Sequence, residues 1–253
     1  MSLAKIVCLA LATGCVFWAW TPPVHRPAVN EVKLTKRRSE KFLVSTGRGF
    51  RWPFTLLLVL ELLVALLDHQ GNYNAVFRSI VAKMFFSSKL RGIPDTDDNI
   101  DIDIPITSPH LEPSLQFFFG VALILSAITL RYHCYQTLGR HYTLEVAILK
   151  DHQLVTSGPY GVVRHPGYAS SVLLTLGVFA AISAKGSWVR ESGVLETYVG
   201  QMVGIIYLVF CCATVTSLMW RVPKEEKVLR KEFGKQWVEW KNRVPWKVIP
   251  GIY

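Results

Sequence analysis

Residues 198–220 read YVGQMVGIIYLVFCCATVTSLMW, 23 positions without Asp, Glu, Lys or Arg. A helix that crosses the bilayer needs about 20 consecutive, mostly apolar residues, so this stretch predicts a membrane span. Working outward, four more apolar runs predict spans at about 3–20, 52–67, 115–132 and 167–184. The first is broken only by Lys5, and the second is short and contains Glu61. The chain as a whole is 51% hydrophobic and 18% charged, where a soluble domain carries about 25% charged residues. The expected fold is therefore all-α: a polytopic membrane protein with about five transmembrane helices. For the run at 3–20 a second reading stays open. Lys5 followed by an apolar stretch also resembles a cleaved signal peptide, although no convincing small-x-small site precedes Thr21.

The net charge is +10. On a hydrophobic chain that balance points to cytosolic loops and anionic lipid headgroups rather than to nucleic acid. Charge also alternates between the spans. Between the first and second lie Arg26, Lys33, Lys36, Arg37, Arg38, Lys41, Arg48 and Arg51, against Glu31 and Glu40. The next polar segment holds Asp95, Asp97, Asp98, Asp101 and Asp103, and Arg131, Arg140, Lys150 and Arg164 follow the third span. The positive-inside rule then predicts a lumenal N-terminus, with the first, third and C-terminal polar segments cytosolic. Residues 131–167 and 221–253 are expected on one face, where they can build one site together. The Asp- and Pro-rich segment at 92–113 reads as an irregular lumenal loop, and residues 75–86 carry a weak amphipathic signal. Cys8, Cys15, Cys134, Cys211 and Cys212 show neither metal-ligand nor disulfide spacing, so no metal site is expected.

Two polar stretches flank the last two spans. Residues 154–168 read LVTSGPYGVVRHPGY, and Pro166 suits the first turn of a helix, where a missing N–H costs nothing. The free N–H groups of that turn suit an anionic group such as a carboxylate, with His165 and Tyr168 beside it as donors. The alternative is that Arg164 and His165 are interfacial polar residues and Tyr168 belongs to an aromatic belt. After the last span come Arg221, Pro223, Glu225 and Glu226, then Leu229, Phe233, Trp237, Trp240 and Val244 at steps of four, four, three and four. That spacing predicts a helical apolar stripe fit to lie on the membrane or to cover the other polar stretch. Glu225 and Glu226 read either as helix-start electrostatics or as site residues, and Glu226 stands four residues before Arg230, the spacing of a helical ion pair.

Arg-His-Pro-x-Tyr before one span, Glu-Glu-x-x-Leu-x-x-x-Phe-Gly after the next and Arg-Val-Pro near the end together resemble the isoprenylcysteine carboxyl methyltransferase family, most clearly over about residues 150–253. Residues 1–130 are then an N-terminal membrane region of about three spans and 131–253 the methyltransferase core. The resemblance implies a cytosolic S-adenosylmethionine site contacted by His152, Gln153, Leu154 and Val155, by Tyr160, by His165, Pro166, Gly167 and Tyr168, and by Glu225. It implies that Arg221 meets the lipid substrate, and that the partners are prenylated protein C-termini and membrane lipid, at the endoplasmic reticulum. Two departures stand out. The family commonly has glycine where this chain has Ser170, and a family glutamine upstream has no match near Glu145 or Ala147.

The implied reaction moves a methyl group from a sulfonium to the carboxylate of a C-terminal prenylcysteine. That carboxylate is ionised at neutral pH, so neither a strong base nor a metal is needed. Placement of the reacting atoms and exclusion of water carry the catalysis. Two alternatives stay open: a methyltransferase for another lipid acceptor such as a phospholipid, and a non-enzymatic membrane scaffold. Related motifs also occur in the C-terminal regions of sterol reductases, which favour an Asp-Asp pair.

Overall fold

The computed structural model describes residues 3–19, 21, 51–69, 111–139 and 153–253. The polar segments that carry the basic loop, the weak amphipathic signal at 75–86, Asp95 to Asp103, and the region of Glu145, Ala147 and His152 lie outside the described residues. What is described is helical, with no strand among the described residues. Five apolar helices coincide with the five predicted runs: α1 (Leu3–Ala19), α2 (Arg51–His69), α3 (Leu115–Leu138), α4 (Pro166–Ile182) and α5 (Tyr198–Arg243). α2, α3 and α5 contain stretches long and apolar enough to cross a membrane. α1 and α4 are apolar helices of 17 residues, about 26 Å each. The chain is a polytopic, all-α membrane protein.

Helices α1 to α4 share one core. Leu9, Ala12 and Val16 of α1 pack with Phe54 and Leu58 of α2, Phe117 and Ile124 of α3, and Leu174 and Val178 of α4. Lipid tails are as apolar as leucine, so helices in a bilayer associate through close packing and polar contacts. Both devices are present. At the α3–α4 crossing a Cβ on Gly120 would lie 2.6 Å from the Ala181 nitrogen, and one on Gly177 would lie 2.8 Å from the Gly120 carbonyl. Only glycine at both positions lets the two backbones touch. The second device is an ion pair. Lys5 Nζ lies 3.0 Å from Glu61 Oε1, and both side chains are almost wholly buried. Lys5 also donates to the Gly186 carbonyl at 2.6 Å, while Glu61 accepts the Trp188 N–H at 2.8 and 2.9 Å. The two charges that break the first and second apolar runs neutralise one another and tie both helices to the segment after α4.

α5 departs from the sequence expectation. It passes through Pro223 without a restart and is interrupted only at Gly234, so Glu225 and Glu226 occupy no first turn. With 46 residues it would reach roughly 69 Å if straight, more than twice the hydrocarbon thickness. Its second half must therefore leave the bilayer. Trp220, 72% exposed with Lys224 Nζ 5.1 Å above its ring, marks the change from lipid-facing to water-facing sequence, as tryptophan commonly does at membrane interfaces. The break comes at Gly234, whose φ of +51° interrupts the helical backbone and turns the last segment back. The boundary expected between residues 130 and 131 falls inside α3.

Candidate active site

The site forms where the link before α4 meets the polar half of α5 and the chain's last residues. A short 3-10 turn, Gly158–Gly161, leads through Val162 and Val163 to Arg164, His165 and the start of α4 at Pro166. Pro166 occupies the first turn, as its spacing predicts, with His165 as N-cap. The returning C-terminal segment lies alongside: the Arg164 N–H donates to the Trp246 carbonyl at 3.0 Å and the His165 N–H to the Lys247 carbonyl at 2.7 Å.

Arg164 is the hub. Its side chain is buried, and its Nε and one terminal nitrogen reach Glu226 Oε1 at 2.7 and 2.6 Å. The other terminal nitrogen donates to the carbonyls of Val244 and Pro245 at 2.6 and 2.9 Å. One guanidinium thus joins the first motif, the glutamate pair and the Arg-Val-Pro motif. Its rigid fork of donors suits a site with several acceptors. Burial pulls the Glu226 carboxyl upward, but the adjacent His165 imidazole and the Arg164 guanidinium outweigh that and hold it at about 2. The helical partner suggested by spacing, Arg230, is exposed. Glu226 pairs across the fold instead because Arg164 offers a buried, preorganised partner.

Glu225 points to different neighbours. Tyr168 donates its phenol O–H to Glu225 Oε2 at 2.6 Å, and His165 Nδ1 lies 3.8 Å from Glu225 Oε1. The His165 and Tyr168 rings stack with centroids 5.7 Å apart, and the Arg221 guanidinium sits 5.8 Å above the Tyr168 ring. Because the helix continues through Pro223, Arg221 and Glu225, four residues apart, share a face and converge on Tyr168. His165 Nε2 is buried 3.7 Å from Glu226 Oε1, too far for a hydrogen bond, and has no hydrogen-bond partner among the described residues.

Beside this polar cluster lies an apolar one. Trp237, Trp240 and Val244 pack with Tyr160 and Cys134, flanked by Leu154, Val155, Leu229 and Phe233. Trp240 donates its indole N–H to the Tyr160 carbonyl at 3.0 Å. The predicted stripe therefore covers the other polar stretch, one of the two placements its spacing allowed. Of the residues implied by resemblance, His165, Tyr168, Arg221 and Glu225 meet directly, with Pro166 and Gly167 in the adjoining turn. Tyr160, Leu154 and Val155 belong to the apolar wall, while Gln153 is exposed and His152 lies outside the described residues. Arg164 was not singled out as a site residue from sequence, although its place in Arg-His-Pro-x-Tyr was the available signal. Among the described residues no three His, Cys, Asp or Glu side chains cluster in a way that could hold a metal ion.

Comparison with known proteins adds an independent line. The chain is 30% identical over 129 residues to protein-S-isoprenylcysteine O-methyltransferase B of Arabidopsis thaliana, covering 50% of this chain and 56% of that protein. It is 25% identical over 146 residues to a probable protein-S-isoprenylcysteine O-methyltransferase of Oryza sativa subsp. indica, covering 55% and 66%. It is also 27% identical over 101 residues to a Delta(14)-sterol reductase of Mus musculus, covering 40% of this chain and only 20% of the reductase. The chain thus spans little more than half of the Arabidopsis methyltransferase it matches. The segment from near the start of α3 through the link and α4, residues 120–185, matches the isoprenylcysteine carboxyl methyltransferase family, the family that its motifs resemble.

Proposed function

We propose that this chain transfers a methyl group from S-adenosylmethionine to the C-terminal carboxylate of prenylcysteine in prenylated proteins. The observation that carries the reading is the convergence of Tyr168, His165, Glu225 and Arg221, from two motifs more than fifty residues apart, beside an apolar wall. The likeness to relatives named as isoprenylcysteine methyltransferases supports the choice of acceptor.

The residues fit the cofactor. Glu225 offers a half-buried carboxylate for a cationic group, and His165 presents a buried, unpartnered Nε2. Leu154, Val155 and Tyr160 supply apolar surface, and Gln153 and His152 stand just upstream. S-adenosylmethionine, when bound, supplies a methyl group on a positively charged sulfur. Glu225, fixed by the Tyr168 phenol, holds positive charge in place. Arg221 orients the anionic acceptor. Trp237 and Trp240, packed over the link, keep water from its apolar side, which strengthens attraction between opposite charges. The acceptor carboxylate is already ionised at neutral pH, so no residue need act as base. Residues 131–253 form the core on this reading, with 1–130 a membrane region through which a prenyl tail gains lateral access. The positive-inside rule favours the cytosolic side for the site, and the family resemblance alone implies the endoplasmic reticulum.

The test is methyl transfer in detergent or membranes from labelled S-adenosylmethionine to N-acetyl-S-farnesylcysteine, beside a phospholipid acceptor. Label on the prenylcysteine that mild alkali removes is the expected result. Label on the phospholipid alone replaces the acceptor, and no cofactor binding by folded protein ends the enzyme reading.

A further inference from the structure

About two turns before the end of α3, Arg131 is an arginine that the site description does not use. Arg131 is 3% exposed. Its Nε donates to Ser170 Oγ at 2.9 Å, one terminal nitrogen to the Ala19 carbonyl at 2.7 Å, and the other to the Gly167 carbonyl at 3.3 Å and to Ser171 Oγ. The two serine hydroxyls in turn donate to the Gly167 carbonyl, at 3.1 and 3.2 Å. A buried guanidinium on a membrane helix is expensive, and apolar packing commonly does as well or better for stability alone. What an arginine adds is a planar set of donors that fixes several acceptors in one geometry.

Those acceptors are informative. Gly167, Ser170 and Ser171 lie in the first turns of α4 and bracket Tyr168, whose phenol leaves that turn to reach Glu225. Ala19 is the final residue of α1, where helix carbonyls lack intrahelical partners and carry partial negative charge. Arg131 therefore clamps the end of α1 to the start of α4 behind the site. Ser170, which stands where the resembled family commonly has glycine, supplies the acceptor for Nε.

We infer that Arg131 is a positioning residue, which sets the first turn of α4 so that Tyr168 meets Glu225, without itself touching cofactor or acceptor. Its kinetic consequence rests on the methyltransferase reading; its structural consequence does not. The experiment compares the full chain in detergent with Arg131→Gln, Arg131→Lys, Tyr168→Phe and the Arg131→Gln/Tyr168→Phe double variant. Since small misplacements at a reacting centre cost up to about 100-fold, Arg131→Gln is expected to lower kcat/KM roughly 10- to 100-fold at temperatures where it stays folded. The double variant should lose little more than the worse single one, because both act through one contact, and Arg131→Lys should recover part of the loss. Multiplying losses in the double variant would overturn the inference. Hydrogen exchange gives the second readout: amides of residues 167–171 should exchange faster in Arg131→Gln while those of 237–243 do not. Unchanged exchange at 167–171 would also overturn it. If the wild-type chain transfers no methyl group, the functional reading fails alone and exchange decides the role of Arg131. If Arg131→Gln does not fold, Ser170→Ala, which removes the Nε acceptor, takes its place in both comparisons.

Discussion

The adjacent glutamates should behave as residues of different kinds, and Glu226→Ala against Glu225→Ala makes the contrast measurable. Glu226 accepts a charged hydrogen bond from Arg164 Nε at 2.7 Å and pairs with one terminal nitrogen at 2.6 Å, with side chains only 14% and 2% exposed. Removing one partner of a buried ion pair costs about 3–5 kcal/mol. Here Arg164 keeps the Val244 and Pro245 carbonyls, which places the loss at the lower end, about 3 kcal/mol. His165 and Arg164 together hold the Glu226 carboxyl below its ordinary value, at about 2, against the upward pull of burial. Glu225, 29% exposed with one strong neutral donor in Tyr168, should cost about 1 kcal/mol when truncated.

Thermal unfolding in detergent reads the difference. For a chain of this size 3 kcal/mol lowers Tm by about 6–12 °C, and Glu225→Ala should shift it by a few degrees at most. Cofactor affinity should move the other way, falling strongly in Glu225→Ala. The acid limb supplies a second check. Because the Glu226 carboxyl is held below its ordinary value, its stabilisation is fully present above pH ~4.5 and is lost as pH falls toward 2. Glu226→Gln should flatten stability across that window. A Glu226→Ala protein that melts with the wild type, or a Glu225→Ala protein that melts well below it, would refute the assignment of structural and binding roles.

Arg221→Ala should weaken turnover severalfold with little change in Tm, because Arg221 is only half-buried where it lies over the Tyr168 ring; wild-type activity in the folded variant would remove Arg221 from the mechanism. Lys5→Met and Glu61→Gln should each destabilise by about 3–5 kcal/mol, since each strands the other's buried charge, and the double variant should lose less than the sum. Additive losses in unfolding midpoints would argue against the pair. Gly120→Ala should lower stability by about 1–3 kcal/mol, the usual cost of overpacking, because its Cβ would meet α4 backbone at 2.6 Å; an unchanged Tm would mean that α3 and α4 do not touch there.

What sequence revealed and what it concealed divide along one physical line. The five apolar runs were legible because a bilayer imposes length and composition locally; the Leu229, Phe233, Trp237, Trp240 and Val244 stripe was legible as an apolar face but not as one helix, since Gly234 breaks the backbone between Phe233 and Trp237. Pairings were not. Lys5 and Glu61 are 56 residues apart, and their being the two charges in the first two spans was the only sign that they meet. Glu226 had a plausible partner four residues away in Arg230, yet it takes Arg164, 62 residues away. A pair with exposed Arg230 would be worth a few tenths of a kcal/mol, whereas the distant one is buried and preorganised by two further carbonyls. Pro223 permitted either a helix start or a kink, but a proline at the membrane edge forfeits one backbone hydrogen bond without ending a helix that packing supports, and Gly234 makes the break. The departure at Ser170 then becomes intelligible. Glycine there would leave Arg131 Nε without its acceptor in a buried position, so serine and arginine have to be read as a pair. A residue that departs from a family pattern is best judged by what it touches, and Ser170 touches the side chain that holds the first turn of α4 in place.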